Sequence, residues 1–217
     1  MALVLQSDRL VLREPRKSDA ATLAACLNNL EVCRYLWRMP FPYTRAMADA
    51  WLASQEKASS EQPRRQATFA IQLKPGRRLI GVVALHDIDA FNGIATLGYW
   101  LSQPYWRQGI MTEAVRLVLE HAFSELSLRR MNVSAAAPNI ASNALIRRVG
   151  FRCEGTLRQA MRCKSTGDVH DENVYGMLRE EWAPSRTEIP KDAALRRIRK
   201  EVRIVAGQDD AADKPSW

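Results

Sequence analysis

Several short segments of the chain are rich in hydrophobic residues that recur at every second position, the pattern of β-strands with one buried face. In the first of them, Leu10 and Leu12 lie two residues apart between charged neighbours. The turn-forming pairs Pro75-Gly76 and Asn92-Gly93 separate three later segments and predict tight turns between successive strands. We predict seven strands, at residues 8–14, 67–73, 78–85, 94–101, 131–135, 152–161 and 169–178.

A repeat of apolar residues every three or four positions predicts four helices. Two of them lie between the first and second strands, and Thr44 is suited to cap the second. A third helix begins after Gly109, and a short fourth helix begins at Asn139 and ends at Gly150. Residues 54–66 are polar, so we predict the frayed end of the second helix and a loop there.

The order of elements is strand, two helices, three strands, helix, strand, helix, two strands. This order predicts an α/β fold with a mixed sheet, antiparallel in its first half, and one strand–helix–strand crossover. The pattern ends after Trp182. We therefore predict one domain over residues 1–182 and a tail over residues 183–217 that is helical in part or disordered.

Composition and charge limit where the protein can be located and which partners it can have. The amino terminus has no basic residue followed by an apolar run, and no segment approaches the ~20 apolar residues of a membrane span, so we predict a cytoplasmic protein without a membrane partner. The four cysteines lack C-x-x-C spacing, so we expect no metal. The net charge of +8 favours an anionic partner: a nucleic acid, a polyphosphate cofactor, or none in particular.

The segment with the clearest chemistry joins the strand at residues 94–101 to the third helix. The first N–H groups of a helix have no partner within it and lie at the positive end of its dipole, so they form an anion site suited to a diphosphate. Gly109 lets the anion approach the backbone closely, and Arg107 adds positive charge. One glycine before a helix is also found in an ordinary turn.

Two motifs in this region carry a resemblance to a known family. The segment Trp106–Met111 matches the pattern R/Q-x-x-G-x-G/A at Gly109 but departs from it at both ends. The segment Asn139–Asn143 reads N-x-x-S-N, and its helix ends in Gly150-Phe151. With these motifs, residues 7–182 resemble the GNAT superfamily of acetyltransferases, in particular its ribosomal-protein N-acetyltransferase branch.

The resemblance implies a GNAT-like fold, in which the mostly antiparallel sheet is splayed between the fourth and fifth predicted strands. It also implies acetyl-CoA as co-substrate and a possible homodimer. The residues that it places against the coenzyme are Trp100, Leu101, Arg107, Gln108, Gly109, Ile110, Met111, Thr112, Asn139, Ser142 and Asn143.

The same resemblance implies roles in catalysis. Many members of the superfamily have a tyrosine acid seven residues after the motif asparagine, but Ile146 stands there, and Ser142 is the substitute. For the base we predict Glu154, on the strand that lines the acceptor side. The residues predicted to bind the acceptor are Trp37, Tyr43 and His170.

We therefore expect direct transfer of an acetyl group to a primary amine, here the N-terminal α-amine of a protein or peptide. One alternative is a GNAT enzyme that acts on a small amine, such as an amino acid, polyamine or antibiotic. Another is a non-catalytic regulator that binds CoA or a nucleic acid. The basic run at residues 195–204 is the candidate nucleic-acid surface, but it has no interleaved aromatic residues, so we do not expect nucleic acid as a partner.

Overall fold

The computed structural model describes residues 3–182 of the chain, so the predicted tail lies outside the described residues. Within them, eight strands form one sheet in the order β1-β2-β3-β4-β5-β6-β8-β7. Neighbouring strands are antiparallel except β5 and β6, which are parallel. The strands are β1 Val4–Gln6, β2 Leu10–Arg13, β3 Ala67–Leu73, β4 Leu79–Asp89, β5 Ile94–Leu101, β6 Arg130–Ala136, β7 Arg152–Arg162 and β8 Val169–Leu178.

Five α-helices of the described residues accompany the sheet. They are α1 Ala20–Leu27, α2 Leu30–Cys33, α3 Arg45–Ser60, α4 Ile110–Ser124 and α5 Ile140–Val149. The predicted caps are confirmed, since the side chains of Thr44 and Asn139 accept hydrogen bonds from backbone N–H groups of α3 and α5. Gly150 ends α5 with a left-handed φ of 117°. In this part of the chain, no helix has both the length and the apolar content needed to cross a bilayer.

Four elements differ from the prediction, one of them β4, which continues to Asp89 instead of ending at Leu85. The strand β1 and the helix α2 were missed, because three or four residues are too few to show a period. Helix α3 continues to Ser60 instead of fraying near residue 54. Its second half is rich in Gln, Glu, Lys and Ala, which favour helix without any apolar repeat.

Helices cover both faces of the sheet. Val83 packs in a core cluster with α4 and α5, whereas its neighbour Val82 packs in a second cluster with α1 and α3. Because successive residues of a strand point to opposite faces, the sheet has an α4–α5 face and an α1–α3 face.

The sheet opens between β5 and β6. These two strands pair from Ile94 with Arg130 to Leu97 with Val133, and then the pairing stops. Strand β5 continues to Leu101 while bonded to β4 alone, and β6 continues to Ala136 while bonded to β8. The predicted splay between the fourth and fifth predicted strands is therefore confirmed. The opening lies at the carboxyl ends of both strands.

Candidate functional site

The loop from β5 to α4 is fixed by two side chains. The indole Nε1 of Trp106 donates to the carbonyl oxygen of Leu101 at 2.7 Å, and Nε2 of Gln108 donates to that of Pro104 at 2.9 Å. Trp106 replaces the usual first residue of the coenzyme motif, and its indole gives it a structural role here.

Two residues of this loop have left-handed backbone conformations, Arg107 with φ 59° and Gly109 with φ 73°. For a non-glycine residue this conformation is uncommon. Gly109 directly precedes α4, so the turn at this position directs the chain into the helix.

The backbone N–H groups from Gln108 to Thr112 have no hydrogen-bond acceptor among residues 3–182. The first paired N–H of α4 is that of Glu113, which donates to the carbonyl of Gly109. Free N–H groups at the start of a helix of fifteen residues, with the dipole behind them, form a site for an anion.

The backbone at Gly109 has room beside it. A Cβ atom placed on Gly109 would have Arg9 Nη2 as its nearest neighbour, at 3.8 Å. Arg9 also binds Glu113, the one acidic residue in the first turn of α4, and Ser7 donates to the same carboxylate. This pairing offsets a negative charge that would otherwise repel an anion.

The end of β5 presents main-chain groups to the opening. The N–H of Ser102 bonds to Ile80 of the hairpin that includes β4, and residues two apart on a strand point to the same side. Trp100 therefore directs its N–H and C=O toward β4, whereas Tyr99 and Leu101 direct theirs toward the opening. The resemblance places both Trp100 and Leu101 against the coenzyme, and main-chain groups are available for such a contact at Leu101 and not at Trp100.

On the α4–α5 face, Ser142 lies beside the opening. Its backbone N–H donates to Asn139 Oδ1 at 3.2 Å, and its hydroxyl lies 2.7 Å from the hydroxyl of Tyr99. Burial raises the pKa of Tyr99 to about 12. Ile146, at the usual tyrosine position, is only 1% exposed and belongs to the core.

The side chain of Asn143 is not available to a coenzyme. Its Nδ2 donates to three backbone carbonyls, and its Oδ1 accepts from Asn173 and Tyr175. At 3% exposure, it fastens the start of α5 to β6 and β8. Its predicted contact with the coenzyme therefore has no support from its side chain.

The three residues predicted to bind the acceptor lie in different environments. Trp37 is 53% exposed, and Arg38 stacks on its ring. His170 packs edge-on against Tyr35, with ring centroids 5.7 Å apart. Tyr43 is 6% exposed within the second core cluster, so its position favours a packing role. The backbone N–H of Lys164, in the turn after β7, donates to the carbonyl oxygen of Trp37 and ties the two segments together.

Glu154 lies on the α1–α3 face, where it forms a two-pronged ion pair with Arg130. The two side chains meet over Gly176, whose missing Cβ leaves room for them. The hydrogen bond from Arg130 lowers the pKa of Glu154. Arg130 begins β6, and the opening begins three residues later, about 10 Å along the strand. Glu154 is thus a poorly placed base.

A second carboxylate, Glu172, lies closer to the opening. The register pairs it with Ala136, the last residue of β6, which packs with Tyr35 on the α1–α3 face. No cation lies within ion-pair distance of Glu172 in the described residues. Glu172 lies on the predicted strand 169–178, and the alternation of that strand did not distinguish it from its acidic neighbours.

Comparison with known proteins decides the family. Residues 9–152, more than half of the chain, match the acetyltransferase (GNAT) domain. The chain belongs to the GNAT acetyltransferase family.

Named relatives agree with this assignment. The chain is 32% identical over 176 residues to the uncharacterized N-acetyltransferase YoaA of Bacillus subtilis (strain 168), which covers 81% of this chain and 97% of the relative. It is 34% identical over 101 residues to the ribosomal-protein-serine acetyltransferase of Escherichia coli (strain K12), covering 46% and 55%. A crystal structure of RimL, a ribosomal L7/L12 α-N-protein acetyltransferase, superposes with a TM-score of 0.71 at 25% identity, covering 82% and 95%.

As a GNAT enzyme, the chain is an acyl-CoA-dependent N-acetyltransferase with acetyl-CoA as its co-substrate. The free N–H groups after Arg107 and the open space at Gly109 fit a diphosphate. Sequence reasoning missed Tyr99, Arg9 and Glu172, because their importance depends on contacts between distant segments. In residues 3–182, no three His, Cys, Asp or Glu side chains converge as metal ligands would.

Proposed function

We propose that this GNAT enzyme transfers the acetyl group of acetyl-CoA to the N-terminal α-amine of a protein or peptide. The observation that carries the proposal is the row of free N–H groups from Gln108 to Thr112 at the mouth of the opening between β5 and β6. The choice of an α-amine is supported by two relatives whose names refer to ribosomal proteins.

The start of α4 binds the diphosphate of the coenzyme in this proposal. Backbone N–H groups of Gln108, Gly109 and Ile110 supply hydrogen bonds, and the helix dipole and the guanidinium of Arg107 supply positive potential. The pantetheine arm then lies in the opening, where its amides pair with the main-chain N–H and C=O of Tyr99 as an added strand would.

The amine approaches from the α1–α3 face. Its neutral nitrogen attacks the thioester carbonyl and a C–N bond forms. The C–S bond breaks with its electron pair passing to sulfur, and the nitrogen, which carries a positive charge after the attack, releases one proton to water in the opening. The N–H of Leu101 points into the opening and is placed to stabilise negative charge on the carbonyl oxygen. On the α4–α5 face, Ser142 is placed to donate a hydrogen bond to the leaving sulfur.

The need for a base depends on the acceptor. At pH 7 about a tenth of an α-amine is already neutral, against roughly one lysine side chain in a few thousand. Glu154, predicted as the base, is held by Arg130 as a carboxylate. An α-amine is already partly neutral and needs little help from a base. It therefore suits a site in which Arg130 already binds the carboxylate of Glu154. Glu172 is placed to attract the ammonium form toward the opening.

The test of this proposal is an assay of CoA thiol release with acetyl-CoA and a panel of amines. The panel pairs each peptide having a free amino terminus and an internal lysine with the same peptide acetylated at its terminus. We expect release with the free peptide and at least about 100-fold less with the blocked one, because of the difference in neutral amine. Equal rates with the two peptides would contradict an α-amine acceptor, and faster turnover of small amines would assign a different acceptor class.

Three other expectations from the sequence stay predictions. They are the separate tail beyond residue 182, the cytoplasmic location and the homodimer.

A further inference from the structure

On the α4–α5 face of the sheet, beside the opening, a hydrogen bond joins the hydroxyl groups of Tyr99 and Ser142. Tyr99 lies on β5 two residues beyond the last residue that pairs with β6, and Ser142 lies in the first turn of α5. Their hydroxyl oxygens are 2.7 Å apart, within the range of a good O–H···O bond. The pair therefore links the splayed strand to the helix beside the predicted position of the sulfur.

The direction of this hydrogen bond follows from the chemistry of the two groups. A phenol O–H is more acidic than an aliphatic O–H and is therefore the better hydrogen-bond donor, while the hydroxyl oxygen of Ser142 can accept. Burial raises the pKa of Tyr99 to about 12, which keeps its proton in place. Tyr99 therefore stays protonated at neutral pH and donates to Ser142, which leaves the hydrogen of Ser142 free to point into the opening.

We propose that Tyr99 is a positioning residue that holds the hydroxyl of Ser142 with its hydrogen directed at the leaving sulfur. This inference rests on the proposed function. When the C–S bond breaks, the electron pair stays on sulfur as a thiolate, and Ser142 stabilises it by a hydrogen bond. Neither hydroxyl loses its proton, because a thiolate with a pKa near 8.5 is a far weaker base than either oxygen anion. The thiolate then takes a proton from solvent.

A double-mutant cycle tests the inference, with Tyr99→Phe, Ser142→Ala and the combined variant. We expect Tyr99→Phe to lower kcat about 3- to 10-fold, the effect of one hydrogen bond, while KM for acetyl-CoA stays within about twofold. In the Ser142→Ala background the same change should alter kcat less than about twofold, because the hydroxyl that Tyr99 positions is gone.

Tyr175→Phe is the matched control. Tyr175 lies on the same face, and its hydroxyl donates to Asn143 of α5 at 2.6 Å, but it belongs to the buried core. Its loss should lower the melting temperature and leave kcat within about twofold. If Tyr175→Phe lowers kcat as much as Tyr99→Phe does, both tyrosines merely support α5 and the inference is wrong.

Other outcomes separate this inference from the proposed function. If Tyr99→Phe leaves kcat unchanged, or has an equal effect with and without Ser142, the positioning role fails while acetyl transfer stands. If Ser142→Ala itself leaves kcat unchanged, Ser142 does not stabilise the leaving sulfur. Tyr99 then has no catalytic hydroxyl to position, and the inference is wrong. If the unaltered enzyme releases no thiol with any amine, the proposed function is wrong as a whole.

Discussion

Replacement of Gly109 by glutamate should remove most of the binding of acetyl-CoA, by roughly 100-fold or more in Kd. The new carboxylate would lie directly before the free N–H groups of α4, where it would bind them in place of the diphosphate and repel its charge. The residue has a left-handed φ of 73°, so a side chain there also strains the turn. Isothermal titration calorimetry with acetyl-CoA measures the loss.

A matched control separates charge from strain. Gly167, in the turn between β7 and β8, has a similar φ of 77° and open space around it. Gly167→Glu therefore carries the same backbone cost, about 1–2 kcal/mol, without touching the coenzyme loop. We expect this variant to bind acetyl-CoA normally. If both variants lost binding alike, or if Gly109→Glu bound normally, the diphosphate would not lie at the start of α4.

Replacement of Ser142 by alanine should lower kcat about 10- to 100-fold, the value of a hydrogen bond to a charged group, with little change in the Kd of acetyl-CoA. The reason is that the hydroxyl acts on sulfur as charge develops there, whereas the ground state makes little use of it. The N-terminal cap of α5 is kept, because Asn139 binds the backbone N–H of residue 142 and not its side chain. Thiol-release kinetics and calorimetry give the two quantities.

Ser124→Ala is the control for this substitution. Its hydroxyl lies at the end of α4 and donates to Glu120, far along the helix from the coenzyme loop. We expect unchanged turnover. A Ser142→Ala variant with normal kcat and weakened binding of acetyl-CoA would mean that the serine binds the coenzyme and takes no part in breaking the thioester.

Much of the fold could be predicted because its signals are local. Each of these signals acts within a few residues. The turn at Pro75-Gly76 predicts a hairpin, Gly109 a helix start and Gly150 a helix end, and the structure has all three there. Strand β1 and helix α2 are too short to carry a pattern of their own. Strand β1 depends on its pairing with β2, which no local signal records.

The site was predictable on one side of the sheet only. The coenzyme loop is a continuous segment with a helix start, so its chemistry can be read from neighbouring residues. The proposed acceptor side is assembled from β6, β7, β8 and the segment after α2. Arg130, 24 positions away in the sequence, forms an ion pair with Glu154. The side chain of Tyr43 packs in the second core cluster. Such contacts between distant segments leave no trace in spacing, which is also why Tyr99 was missed.

The most direct test of the central claim is a crystal structure of the complex with acetyl-CoA. The claim predicts diphosphate oxygens within hydrogen-bond distance of the N–H groups from Gln108 to Thr112, and the pantetheine arm between β5 and β6 beyond Leu97. A coenzyme bound elsewhere, with those N–H groups left free and the two strands closed on each other, would contradict it.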